Sequence, residues 1–519
     1  MFRHMFSSVA EEMGATMQRT AFSPNIKERR DFSCAVFDVE GNMIAQAAHI
    51  PVHLGAMPLA VRAAMDVFEE GGILPGDLVI LNDPYLGGTH LPDITTVSPV
   101  FVDRADEKVH FGYVATRAHH ADVGGITPGS MPLATECYQE GLIIPPIKLV
   151  NAGVIDSALV DLICRNVRTP DERRGDLASQ MAAHRVGERR VAELADRYGV
   201  DQLAKMAAEL LDYSARLTRA RLQVIPDGDY SFEDYLDDDG IDSRAVRIKV
   251  KITADRGHLT VDFDGTDPAV QGSVNAPAAV TQSAVYYVIR CLIGDDVPGN
   301  AGTFEPVDVR IPERSVLNPR PPHAVAGGNV ETSQRVVDVV WGALADAIPE
   351  LVPAASQGTM NNVTLGGYDP FRDKPFAYYE TIGGGSGAGP NHPGASGIQV
   401  AMTNTWNTPV EAMEFALPVM IERYQLRRAS GGAGAHRGGQ GVERNIKLLA
   451  PAQVTLLSER RTRNPYGLAG GGPGRLGRNR LHVNGRWRPL PSKGTVSVEP
   501  GDVISISTPG GGGWGEQTG

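Results

Sequence analysis

This sequence predicts a multidomain α+β fold of mixed helices and antiparallel sheets, on three observations. At 519 residues the chain is too long for one ordinary domain. Stretches with helical spacing sit beside runs of alternating strands joined by short polar turns. Glycine, 59 residues in all, gathers toward the C-terminal half, where it separates short strands and points to tight turns and close backbone approaches. Four regions follow: an N-terminal α+β domain over 1–224, an antiparallel β segment with a helix over 225–318, a glycine-loop region over 319–423, and a glycine-rich, β-rich domain over 424–519.

Taken in order, Phe2, Met5, Phe6, Val9, Met13 and Met17 recur at helical spacing and predict an amphipathic helix. Asp31–Asp38 and Met43–Ala48 read as a hairpin about Glu40-Gly41-Asn42, and Met57–Glu70 as a second helix. Leu78–Leu81 is a buried strand that delivers Asn82 and Asp83 to a loop. Thr95–Val102 is β-branched and apolar, with Pro99 marking an edge or a bulge. Lys108–Thr116 alternates, and Asp103–Glu107 turns between the two. Ser157–Leu222 is helical, including Arg165–Arg174, and His184 within it reads as surface or structural. Tyr230–Leu236, Val246–Thr253 and His258–Phe263 are strands of an antiparallel segment, followed by a helix over Thr281–Ile293. Thr332 or Ser333 is a natural N-cap for an apolar helix over Val336–Ala347, and a helix start behind Gly327-Gly328 also suits an anion. Phe376–Ile382 is a strand running into Gly383–Pro390. From Tyr424 the strands are Ser430–Arg437, Asn445–Leu449, Gln453–Leu457, Arg480–Val483 and Val503–Ser507.

Composition narrows the function. A net charge of −12 without a concentrated basic tract argues against a nucleic-acid or membrane surface. No apolar run approaches the ~18 residues of a membrane helix. Four well-separated cysteines make no metal or disulfide framework, and the first residues lack a secretion signal, so a cytoplasmic protein is expected.

Chemistry concentrates in Asn82–Gly125. If the hairpin closes near Ala105, His90 and Asp93 meet His119, His120 and Asp122 at its open end, roughly 5 Å apart at Cβ. Imidazoles with carboxylates suit Zn, Mn or Fe(II). The same residue types beside Gly-Gly and Pro also build ordinary capped loops. Glu28 falls near His49 and His53 by the same hairpin logic, although its neighbours Lys27, Arg29 and Arg30 favour simple ion pairing.

Asn25–Cys34, His49–Met57, Asn82–Asp93, Arg117–Gly125, Gly328–Gln334 and Met402–Glu411 together resemble the hydantoinase B/oxoprolinase family, over essentially the whole chain. The resemblance implies an ATP-dependent reaction split between two subunits. An A-type ATPase subunit phosphorylates the substrate, and the B-type subunit opens the activated ring of a hydantoin, 5-oxoproline or related lactam. It implies a divalent metal (Mn or Zn, or Fe) on Glu28, His90, Asp93 and His119, which replaces the ion-pair reading of Glu28. His120 and Asp122 fall inside the same motif and are expected to orient ligands or carry protons. ATP is then used by the partner in a hetero-oligomer. Asn329, Asn404 and Thr405 are candidate hydrogen-bonding groups for substrate. Family members that carry histidines before Met-Thr-Asn-Thr differ from this chain, which has Gln399, Val400 and Ala401 there. The alternatives are a subunit of an ATP-dependent ketone carboxylase and a non-catalytic scaffold with a structural metal.

Overall fold

The computed structural model describes residues 2–517 except 48, 54, 71 and 106. Ala48, at the end of the expected second strand, Leu54 of the His49–Met57 motif and Asp106 of the expected turn therefore lie outside the described residues. Nine α-helices among them are α1 (Phe2–Thr20), α2 (Pro24–Lys27), α3 (Met57–Val67), α4 (Ser157–Arg165), α5 (Pro170–Tyr198), α6 (Val200–Leu222), α7 (Ala278–Ile293), α8 (Ser333–Ala345) and α9 (Val410–Ala416).

The first sheet contains β1 (Phe32–Phe37), β2 (Met43–Gln46), β3 (Leu78–Leu81), β4 (Asp93–Arg104), β5 (Glu107–His119), β6 (Ile147–Asn151) and β7 (Val154–Ile155). Their order is β2-β1-β5-β4-β3-β6-β7, antiparallel throughout. Both faces of its central strands are covered. Phe6, Val9, Met13 and Met17 of α1 pack on Cys34, Val36, Val114 and Ala118. Met57, Ala60 and Val61 of α3 join Ala35, Phe37, Val79 and Ala115 on the opposite face, because successive strand residues point to opposite sides. Pro99 lies in a strand with neighbours on both sides, yet β3 pairs only with Thr95–Val97, so at Pro99 the ladder runs to β5 alone. A register shift follows at Val100/Phe101.

The second sheet, β8 (Gly228–Leu236), β9 (Val246–Asp255), β10 (His258–Asp262) and β11 (Val307–Arg310), carries α7 and α8 on one apolar core. It is antiparallel except for β10 beside β11, which run parallel because α7 lies between them in the chain.

The third and fourth sheets stack on each other. The third holds β12 (Asn362–Asp369), β13 (Lys374–Glu380), β16 (Ala452–Leu457) and β19 (Lys493–Val498); the fourth holds β14 (Val419–Leu426), β15 (Val442–Leu448), β17 (Arg478–Val483), β18 (Arg486–Leu490) and β20 (Val503–Ser507). Val363, Leu365, Val454 and Leu456 meet Ile446, Leu481, Ile504 and Ile506 between them. The third sheet draws strands from both sides of residue 423.

Three local expectations are corrected. Residues 166–169 break the helix expected over Arg165–Arg174, because Pro170 has no N–H to give and starts α5 instead. Neither Thr332 nor Ser333 caps α8. A π-helical turn over Gly328–Thr332 leads into it, with the Ser333 hydroxyl bonded to the Asn329 carbonyl. The place expected for an anion is filled by the chain's own Glu140 carboxyl, which accepts from the N–H groups of Val325 and Ala326 at 2.9 and 2.8 Å.

The segment 430–437 is not a strand. It belongs to a bundle of extended glycine-rich segments outside any sheet, which exchange backbone hydrogen bonds: Gly432 N–H to Gly511, Gly439 to Ser386, Gly511 to Gly439, Gly513 to Gly472. A Cβ on Gly439 would sit 1.8 Å from the Ala395 oxygen, and one on Gly511 1.9 Å from that of Ser386. Glycine is required there by approach of backbone to backbone.

Candidate metal centre

Asn82, directly after β3, holds the loop that carries His90. Its amide donates to the carbonyls of Leu91 and Leu142 at 2.8 and 2.9 Å and accepts from Ile144 N–H at 2.6 Å. Gly87, at φ +83°, lets that loop press against the Leu59 carbonyl of α3. Asp93 opens β4 and His119 closes β5, and the two are a cross-strand pair. The hairpin thus brings together what its sequence spacing implied.

His90, Asp93 and His119 form one group, each buried, with donor atoms all within 4.8 Å of one another. His90 Nε2 lies 3.0 Å and His119 Nδ1 3.2 Å from Asp93 Oδ1. The Thr89 hydroxyl donates to Asp93 Oδ2 at 2.6 Å, and His53 Nε2 stands 3.5 Å from that oxygen. His53 is itself fixed by Ser33 Oγ at 2.9 Å from its Nδ1. Tyr379 stacks on the His119 ring at 4.4 Å between centroids.

Burial raises the Asp93 carboxyl, but His90, His119 and His53 together hold it well below the usual carboxylate range. Burial pushes His119 down, so its imidazole is neutral near pH 7. An ionised carboxylate beside a neutral imidazole is the protonation pattern a divalent cation needs. Both ring nitrogens of His90 and Nε2 of His119 are buried without a hydrogen-bond partner; the 3.0 Å approach of His90 to Asp93 is close but poorly aligned. Orphaned buried nitrogens of this kind demand an explanation, and a metal ion supplies one.

A space of about 20 Å³ adjoins the group, lined among others by Asp31, His53, Asn329, Tyr379 and Thr403. Glu28 is not on its wall. Glu28 ends α2, half-buried, and the carboxylate at the wall besides Asp93 is Asp31, whose carbonyl also accepts from His119 N–H at 3.0 Å. Asn329 lines the space with its side-chain oxygen unpartnered. Asn404 and Thr405 do not line it: Asn404 is exposed and donates to the His49 carbonyl, while Thr405 Oγ1 meets Thr381 Oγ1 at 2.8 Å and Arg29 at 3.2 Å. Their neighbour Thr403 is the one at the wall.

His120 and Asp122 also stand away from that wall. His120 Nε2 meets Gln180 Oε1 of α5 at 3.0 Å, and burial, then the nearby Arg173 charge, pulls it down to about 4. Both oxygens of Asp122 are taken, by the N–H groups of Gly124, Gly129 and Arg168 and by the Arg168 guanidinium. These contacts tie the chain that leaves β5 to α5 and to Arg168.

Residues 1–517 match the hydantoinase B/oxoprolinase family model. The chain belongs to that family. It is 43% identical to 5-oxoprolinase 1 of Arabidopsis thaliana over 99% of this chain and 41% of that protein. The B-type component of a putative D-/L-hydantoinase from Pseudomonas is 31% identical, over 98% of this chain and 88% of the relative. The chain thus spans less than half the length of the plant relative but nearly all of the bacterial one. ATP-dependent caprolactamase from Pseudomonas jessenii superposes with a TM-score of 0.92 at 29% identity, over 99% of this chain and 90% of the other. Acetone carboxylase superposes at 0.89 and 19% identity, covering 99% and 74%, which shows the shared fold.

Of the four ligands expected from the sequence, the structure gathers His90, Asp93 and His119 and leaves Glu28 off the wall of the adjoining space. Asp31 and Tyr379 were missed. Asp31 read as the first residue of a strand and Tyr379 as strand filling; the pairing of β1 with β5 brings the first to the site, and Arg29, bonded to the Tyr379 carbonyl, ties the second to it. Among the described residues no helix is long and apolar enough to cross a membrane.

Proposed function

We propose that this chain is the ring-opening, B-type component of an ATP-dependent lactam hydrolase, acting on a hydantoin, 5-oxoproline or related cyclic amide that an A-type ATPase partner activates. The observation that carries the reading is the buried His90, Asp93, His119 group with its orphaned nitrogens. These three would hold a divalent ion (Mn, Zn or Fe), with Asp31 at the wall beside them. Such an ion, when bound, polarises a carbonyl and lowers the pKa of water toward ~7.

The chain's own residues do the rest. Thr89 and His53 fix the second oxygen of Asp93. Tyr379 fixes the plane of His119. His53 is the imidazole placed to hold or pass a proton beside Asp93, and the free Asn329 oxygen can accept a lactam N–H. The identity to caprolactamase, 29% against 19% for acetone carboxylase, supports an amide substrate over a ketone.

Metal content per chain would be measured for wild type, His90→Ala and Asp93→Asn, beside activity with an A-type partner, ATP and 5-oxoproline or hydantoin. We expect near-stoichiometric metal in wild type and loss of both metal and ring opening in the variants, with folding intact by circular dichroism. Fully active, metal-free wild type would overturn the proposal.

A further inference from the structure

The fourth sheet carries a cationic pocket, remote in the chain from the metal-site motifs, at the C-terminal end of β14 and the N-terminal end of β17. Arg427, Arg428, Arg475 and Arg478 line it with Gln425 and Gln440, around about 810 Å³. Its lone acid, Glu443, is already engaged by Arg423 at 3.3 Å and Gln425 at 3.1 Å. None of the four arginines makes an ion pair among the described residues, although the chain as a whole is acidic at −12.

Such an arrangement is unfavourable by itself. Four guanidinium groups repel one another, and an acidic protein has carboxylates in plenty with which to neutralise them. The floor is nevertheless held by hydrogen bonds. Arg427 is half-buried and donates to the carbonyls of Leu476 and Thr508 at 2.6 and 3.0 Å. Arg428, Arg475 and Arg478 stand exposed around it. Burial first, then the charges of Arg478 and Arg475, holds Arg427 below the usual arginine range, with Glu443 acting in the opposite direction.

We propose that this pocket is a binding site for a small phosphate-bearing anion, an oligophosphate chain above all. The guanidinium fork matches phosphate oxygens in pairs, and arginine rather than lysine fills every cationic position of the pocket. The volume suits a small molecule. A bound anion would offset the repulsion among the four guanidinium groups. The site is independent of the His90, Asp93, His119 group and does not rest on the lactam-hydrolase reading.

Calorimetric titration of the purified chain with pyrophosphate and tripolyphosphate, at about 0.15 M salt, tests it, with inorganic phosphate and acetate as smaller anions. The variants are Arg475→Gln/Arg478→Gln in the pocket and Arg486→Gln/Arg488→Gln outside it, on β18 of the same sheet. All four side chains are exposed. Charge-assisted pairs of this strength imply a loss of at least about ten-fold in affinity for the pocket variant. We expect saturable binding, one anion per chain, weakened by that factor in Arg475→Gln/Arg478→Gln and kept in Arg486→Gln/Arg488→Gln. Absence of saturable binding, or equal weakening in both variants, would show only a diffuse field and overturn the proposal. Binding of poly-glutamate but of no phosphate compound through the same arginines would also overturn it, assigning the surface to an acidic protein partner.

Discussion

At Asp93 burial and the surrounding imidazoles act in opposite directions, and the imidazoles win. At His184 nothing opposes burial strongly enough. Its ring lies between the hydroxyls of Thr96, at 2.8 Å, and Ser98, at 2.7 Å, and burial drives it down to about 3. Between that value and the ordinary 6.5 the unfolded chain binds a proton that the folded His184 refuses, so this residue's contribution to stability is present above pH 6.5 and is lost as pH falls toward 3. In urea unfolding between about pH 6.5 and 4.5, wild type should lose stability more steeply than His184→Gln, by up to ~1.4 kcal/mol per pH unit. Equal slopes would refute the assignment. The residue scale is also where reading from sequence was least complete. His90, Asp93 and His119 were legible because one hairpin joins them. Asp31 was not, because its arrival depends on β1 pairing with β5, and Glu28, three residues away, offered a carboxylate of similar promise. Arg29, fully buried and bonded to the Tyr379 carbonyl at 2.9 Å, looked in sequence like one more solvated charge.

The glycine bundle is the element that sequence patterning describes worst. Strand alternation and helical spacing are statements about side chains, and here there are none to alternate. Ser430–Arg437 therefore read as a strand, whereas its glycines lie in extended segments that bond backbone to backbone. Contact distance decides which glycines are indispensable. Gly439→Ala and Gly511→Ala place a methyl within 2 Å of a carbonyl oxygen and should each cost more than about 3 kcal/mol. Gly472 has nothing nearer than 3.4 Å to its added Cβ, and Gly472→Ala should change stability by less than about 1 kcal/mol. Thermal or urea unfolding of the three variants checks the ranking, and a costly Gly472→Ala beside a tolerated Gly439→Ala would contradict this packing. Regular elements were far more legible. The apolar stripe of α1 and the β4–β5 hairpin follow directly from spacing, since both bury a periodic face. Strands such as β14 and β19 escaped because one carries mostly exposed residues and the other alternates weakly.

At the scale of the whole molecule, the proposed division of labour between two chains sets the last prediction. The chain covers 41% of the length of the plant 5-oxoprolinase but 88% of the bacterial hydantoinase component. On the proposed reading, a separate ATPase chain supplies the activating step. Gly383–Pro390 lacks the Lys-Ser/Thr that follows a phosphate loop, and its glycines are used in backbone packing. On that reading the chain alone should hydrolyse neither ATP nor an unactivated lactam. Mixed with an A-type ATPase, it should open 5-oxoproline or a hydantoin with ATP consumed in step, and Asp93→Asn should abolish ring opening while the partner's own ATPase activity persists. Parallel assays of phosphate release and ring-opened product separate the two. ATP turnover by the isolated chain would place the activating step here, and ring opening that survives Asp93→Asn would move the chemistry away from β4 and β5.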